Sequence, residues 1–158
     1  HRFKHGRPAT LSYDEVRSNL YIQDVIAVVE WFMEYFHPGI FHLGGPLPLT
    51  LYEIGQIINK LGDYEAGLLN GCLRQEAAPI PPRIGNVTLD SAKILHLLPD
   101  NVVKPWPLDK RYRPTARNWH EERTTRFSQD KIIEELYGYN HTSDLRSPLN
   151  WHGRSAYF

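Results

Sequence analysis

Pro38 to Gly62, P-G-I-F-H-L-G-G-P-L-P-L-T-L-Y-E-I-G-Q-I-I-N-K-L-G, is the stretch on which the fold turns. Pro38 and Gly39 end whatever precedes them, and Ile40 to Leu43 is a short apolar and aromatic run of the kind a buried strand uses. Gly44, Gly45 and Pro46 stop that strand. Thr50 and Glu53 then stand at the spacing of a capping box, in which hydroxyl and carboxylate each satisfy a first-turn N–H group. A helix is expected to begin there. Its apolar positions Ile54, Ile57, Ile58 and Leu61 form one core-facing stripe, and Gly62 is placed to end it.

Upstream, Arg7 to Tyr13 and Val16 to Ile22 have the β-branched and aromatic content of two short strands. Asp24 is expected as the N-cap of a helix carrying Val25, Val28, Val29, Phe32, Met33 and Phe36 at helical spacing. The first sixty residues thus read β, β, α, β, α, with a parallel crossover through the first helix. Downstream, Asp63 to Pro82 loses periodicity and reads as a loop or covering arm. Arg83 to Leu89 is a further candidate strand, and Asp90-Ser91 caps a short helix with Ile94, Leu95 and Leu98 inward. Residues 99–158 change character. They begin as a basic, Pro-rich arm anchored by Trp106, Tyr112 and Trp119, then give one helix at about residues 128–137, capped by Ser128 and stopped by Gly138. No pattern is assigned from Tyr139 to Phe158.

A chain of 158 residues is about one domain and buries roughly two-thirds of its unfolded surface. Formal net charge is zero, so no global field draws nucleic acid or an anionic membrane. Cys72 is the single cysteine and has no internal disulfide partner. No apolar run reaches bilayer-spanning length, and the N-terminal H-R-F-K-H-G-R lacks a signal-peptide core, so a soluble, cytoplasmic chain is expected. The two glycosylation sequons, at Asn86 and Asn140, matter only in a secreted protein. The chain opens without Met on a polar, basic run leading straight into patterned sequence, which suggests a piece of something longer.

Three blocks, in order, carry a family likeness: Y-D-E-V-R-S-N-L-Y-I-Q-D from Tyr13, G-I-F-H-L-G-G-P-L-P-L-T-L-Y-E-I from Gly39, and P-P-R-I-G-N-V-T-L-D-S-A-K from Pro81. Together they resemble the C-terminal half of extended short-chain dehydrogenases/reductases, in the dTDP-4-dehydrorhamnose reductase branch. The regulatory beta subunit of methionine adenosyltransferase is a non-catalytic cousin of that branch. The resemblance covers about Gly6 to Leu98. It implies an α/β fold of the NAD(P)-binding Rossmann-like superfamily, with residues 1–98 a mixed, small α/β substrate domain and the Rossmann core mostly absent from this chain. It also implies a nucleotide-sugar substrate, with NADP or NAD bound by the intact protein and none by this chain alone. The partner would be a missing N-terminal Rossmann half or another chain, and homo-oligomerisation is expected because cut sheet edges invite pairing.

The resemblance assigns Arg17 and Arg83 to the substrate diphosphate, a role that suits a guanidinium because it pairs two phosphate oxygens at once. The competing reading of Arg17 is a surface side chain between two strands, and that of Arg83 a structural ion pair. After Arg17-Ser18 the family usually has Pro-Thr, where this chain has Asn19-Leu20. No catalytic residue is assigned. The fingerprint glycines of a dinucleotide-binding turn are missing, and no Tyr has Lys four residues on; Tyr13 followed by Arg17 is the nearest approach. Hydride transfer by this chain alone is therefore not expected.

The remaining candidates have plainer readings. Asp24, Thr50 and Asp90 are explained by helix capping. Lys93 reads as a neutraliser of a carboxylate or a solvated helix face. His42 reads as a buried, hydrogen-bonded strand residue, and Cys72 as a packed thiol. The eight His lack zinc-ligand spacing. Lys104 to Arg126 mixes cations and aromatics, as single-strand nucleic-acid binders do. Asp109, Glu121 and Glu122 dilute that charge, and an arm wrapped on its own domain is expected instead. Trp106, Trp119 and Trp151 read as anchors in that packing.

Overall fold

A computed structural model describes residues 1–77, 84–123 and 127–138. They form a small mixed α/β unit of four α-helices and a few short strands among the described residues. In chain order these are β1 (Ala9–Ser12), β2 (Val16–Ser18), α1 (Ile22–Glu34), β3 (Pro48–Thr50), α2 (Leu51–Leu61), β4 (Leu69–Cys72), α3 (Ala92–Leu95) and α4 (Gln129–Tyr137). β1 pairs parallel with β4, and β2 pairs antiparallel with β3.

α2 starts where the capping box places it. The Thr50 hydroxyl accepts from the Glu53 N–H at 3.1 Å, and the Glu53 carboxylate accepts from the Thr50 N–H at 2.7 Å. One side of α2 meets the parallel pair. A Cβ on Gly55 would stand 2.5 Å from a Leu11 methyl, so only glycine lets the helix sit this close to β1. The other side carries Ile57 and Leu61 into a cluster with Tyr21, Leu49, Trp106, Tyr112 and Trp119. The 99–123 arm thus wraps on the first part of the chain, as its aromatic anchors suggest. A second cluster joins Ala27, Val28 and Trp31 of α1 to Ile94, Leu98 and Val102. α4, capped by Ser128, packs Ile132 and Leu136 against the first cluster.

Long-range bonds lock these parts together. The Tyr21 hydroxyl donates to the Glu135 carbonyl and accepts from the Leu108 N–H, both at 3.0 Å. Gln56 donates through Nε2 to the Ala116 and Arg117 carbonyls, and Lys60 Nζ donates to the Trp119 carbonyl at 2.9 Å.

Several expectations are corrected. α1 begins at Ile22 with Tyr21 as N-cap, and Asp24 sits inside the first turn, buried, accepting from the Lys104 N–H at 2.8 Å. A long-range acceptor role took Asp24 out of capping. Ile40 to Leu43 is not a strand: Lys93 Nζ takes the Ile40 carbonyl, and the Ser91 hydroxyl takes the Gly44 N–H. Side chains there do what a neighbouring strand would do. His42, expected buried, is exposed. Phe41 and Leu43 are partly shielded by the cluster containing Val102, whereas Ile40 remains 79% exposed. The expected strand at Arg83 to Leu89 is reduced, in its described part, to one bridge from Val16 to Asn86. α3 ends at Leu95, which faces solvent, and Ser91 caps it without a side-chain bond; Asp90 accepts from the Ala92 N–H instead. Within the expected loop, Leu69–Cys72 forms β4. Trp151 and the unassigned stretch from Tyr139 lie outside the described residues.

No helix among the described residues is long and apolar enough to cross a membrane. Because Ile57 is fully buried at the junction of helix and arm, Ile57→Ala is expected to lower unfolding free energy by about 2–5 kcal/mol. Urea denaturation followed by circular dichroism measures that loss.

Candidate functional site

Two places gather functional side chains. The first surrounds Arg17 on β2. Its guanidinium pairs with the Glu15 carboxylate at 2.8 Å and donates to the Val16 carbonyl at 2.9 Å. The Glu15 side chain is only 3% exposed and also accepts from the Ser12 hydroxyl, while the Arg17 side chain is 30% exposed. Arg17 is therefore anchored on one edge and reachable from solvent on the other. Guanidinium has five donors, so this pairing leaves capacity for an anion. Beside it the chain returns: the Val16 N–H donates to the Gly85 carbonyl at 2.6 Å, and the Val87 N–H donates to the Val16 carbonyl at 3.3 Å. Arg83 lies outside the described residues. The segment that follows it in sequence is joined to the residue preceding Arg17.

The second place is a cleft of about 290 Å³ between the first turns of α2 and the 114–117 segment, lined in part by Tyr13, Tyr52, Glu53, Gln56, Thr115 and Arg117. Tyr13 and Tyr52 pack with ring centroids 4.6 Å apart, and the Arg117 guanidinium lies 4.5 Å from the Tyr13 centroid. Tyr13 presses so closely on β4 that a Cβ on Gly71 would lie 2.1 Å from its ring. The Tyr52 hydroxyl donates to the Arg117 carbonyl at 3.0 Å. Burial, followed by the neighbouring Tyr13, raises the Tyr52 pKa, which keeps the phenol protonated and unsuited to act as a base. Below the cleft, buried His120 holds Nδ1 3.2 Å from Gln56 Nε2. Desolvation lowers the imidazole pKa, with Arg123 and Lys60 acting in the same direction and Glu121 opposing them.

Among the described residues no group of three or more His, Cys, Asp and Glu side chains could hold a metal ion. β1 leads into Asp14, whose carboxylate accepts from the Arg74 N–H at 2.8 Å. Of the plainer candidates, Thr50 caps α2, Cys72 is half-buried at the end of β4, and Lys93 sits 4.4 Å from the Phe41 ring centroid besides holding the Ile40 carbonyl. Trp106 and Trp119 are buried anchors. The Tyr13–Arg117 cleft was not anticipated from sequence, since Tyr52 and Arg117 on its two walls are 65 residues apart.

No family model matches the chain, and no curated protein matches it.

His120 gives a pH-dependent prediction. Its folded-state pKa lies below the ordinary value of about 6.5, so between the two values the unfolded chain binds more protons and stability rises with pH. That contribution is complete above about pH 6.5 and is lost as pH falls through the folded-state value. The urea midpoint is expected to drop between about pH 7.5 and pH 5, and His120→Gln is expected to flatten the drop.

Proposed function

We propose that this chain is the nucleotide-sugar-binding portion of an NAD(P)-dependent reductase that reduces a 4-keto-sugar nucleotide in the cytoplasm. The observation that carries the reading is the junction at Val16. There the segment following Arg83 meets the segment bearing Arg17, so the two blocks that resemble the family's diphosphate-binding positions are neighbours. Arg17, fixed by Glu15 and open on its outer edge, would pair the diphosphate. NADP or NAD and the proton-donating Tyr-x-x-x-Lys would be supplied by a Rossmann half or a partner chain, and no catalytic step is assigned to this one.

A second reading, a non-catalytic binding module similar to the beta subunit of methionine adenosyltransferase, is favoured by one feature. Tyr13, the nearest approach to the family's Tyr, packs against Tyr52, Gly71 and Arg117 and has Arg17 four residues on where the family has Lys.

Binding is tested by thermal denaturation of the full chain with dTDP or UDP. At a hundred times its dissociation constant the nucleotide is expected to add about 2.7 kcal/mol, or roughly 5–11 °C for a chain of this size. Arg17→Ala is expected to abolish the shift. An unchanged melting temperature at millimolar nucleotide counts against both readings' shared site, whereas a shift unaffected by Arg17→Ala moves the ligand elsewhere.

A further inference from the structure

The cleft between α2 and the 114–117 segment holds two opposite charges that do not neutralise each other. Glu53 and Arg117 both line its volume of about 290 Å³. No ion pair joins them, and among the described residues the Arg117 guanidinium has no carboxylate partner at all. Each charge is instead anchored by a different neighbour. Glu53 engages one carboxylate oxygen, Oε2, with the Thr50 N–H at 2.7 Å and the Thr50 hydroxyl at 2.9 Å, which leaves Oε1 without a partner among the described residues. Arg117 lies over the Tyr13 ring, 4.5 Å from its centroid, in a cation–π contact that leaves its five N–H donors without an acceptor among those residues. Its backbone is fixed as well, since the Arg117 carbonyl accepts from the Tyr52 hydroxyl and from Gln56 Nε2, each at 3.0 Å.

We propose that this cleft binds a small zwitterion of the free α-amino-acid class. The carboxylate pairs with the Arg117 guanidinium, the ammonium with Glu53 Oε1, and an apolar side chain lies against Tyr13 and Tyr52. A guanidinium takes both oxygens of a carboxylate at once. A purely anionic ligand would be repelled by Glu53 and a purely cationic one by Arg117, so a ligand carrying both charges is the one that satisfies both walls. Neither protein charge can collapse onto the other without giving up the Thr50 cap or the Tyr13 ring, so entry of the ligand breaks no protein ion pair. A volume just under the usual range for drug-sized ligands suits a single amino acid. The proposal does not rest on the nucleotide-sugar reading, because Arg17 is not among the residues that line this cleft.

A backbone-amide NMR titration of the full 158-residue chain with L-phenylalanine tests it. N-acetyl-L-phenylalanine, which keeps only the carboxylate and imitates a protein C-terminus, and L-phenylalaninamide, which keeps only the ammonium, are titrated beside it. Phenylalanine is expected to bind with a dissociation constant on the order of 0.1–1 mM, and each derivative at least about tenfold more weakly, the loss of one charge-assisted hydrogen bond. Arg117→Gln is expected to weaken phenylalanine about tenfold and to remove the discrimination against the amide. Glu53→Gln is expected to do the same and to remove the discrimination against the acetyl derivative. Gln serves a capping box as Glu does, and Arg117 is exposed, so circular dichroism of both variants should be unchanged. Arg17→Ala, which removes the nucleotide response under the reductase reading, should leave phenylalanine binding intact, so the two readings fail separately. No shift at about 20 mM phenylalanine overturns the proposal, as does binding that survives both variants. Equal affinity for N-acetyl-L-phenylalanine makes the cleft an anion site and equal affinity for the amide a cation site, and either overturns the assignment to a zwitterion.

Discussion

Everything else in this molecule depends on α2 being buried from both sides. Eleven residues long, it carries Gly55 toward β1 and β4, and Ile57 and Leu61 toward the aromatic arm. Its polar side chains are used as fully. Gln56 and Lys60 hold carbonyls of the 116–119 segment, and Arg123 reaches back to Asn59 and to the Tyr64 carbonyl beyond the helix end. A helix with apolar contacts on two sides and polar fasteners between them cannot shift without exposing one layer or the other. Both candidate binding places inherit their geometry from it: Leu51 donates its N–H to the Glu15 carbonyl at 2.8 Å, and Tyr52, Glu53 and Gln56 form one wall of the cleft.

Around Arg17, structure and binding share one side chain. A buried carboxylate such as Glu15 needs a compensating charge, and Arg17 provides it. An anion approaching the outer edge would meet a guanidinium already oriented by that carboxylate, trading net charge for preorganisation. The cleft at Arg117 is the reverse case. Its aromatic walls, Tyr13 and Tyr52, pack on each other, and the 114–117 segment of the arm closes its other side.

Local signals in the sequence were readable where one short segment decides the outcome. Thr50 with Glu53 set the start of α2, Ser128 and Gly138 framed α4, and the Trp106 and Trp119 anchors were evident because large aromatics in an irregular Pro-rich arm need a surface to cover. Reading failed where distant partners decide. Ile40 to Leu43 has strand composition, but Ser91 and Lys93, some fifty residues on, hold its backbone. Leu69–Cys72 is too short and glycine-rich to show a period, yet it is specified by pairing with Ala9–Ser12. Asp24 matches a capping residue until Lys104 claims its carboxylate. The site divides the same way: Arg17 stood out by motif, whereas its Glu15 partner and the Tyr13–Arg117 cleft needed the assembled chain.

The Tyr21 hydroxyl bond to Glu135 bears on how the protein is made. It closes a span of 114 residues, and the same hydroxyl holds Leu108. On a ribosome adding about 5–20 residues per second, Tyr21 emerges roughly 6–23 s before its acceptor. Early in that interval, before Ile94, Leu98 and Val102 have been made, Ala27, Val28 and Trp31 of α1 face water as Ile22, Ile26, Val29 and Met33 do. The nascent chain thus presents a two-sided sticky helix before its covering layer has been synthesised, and that interval is when a chaperone's hold on the chain matters most.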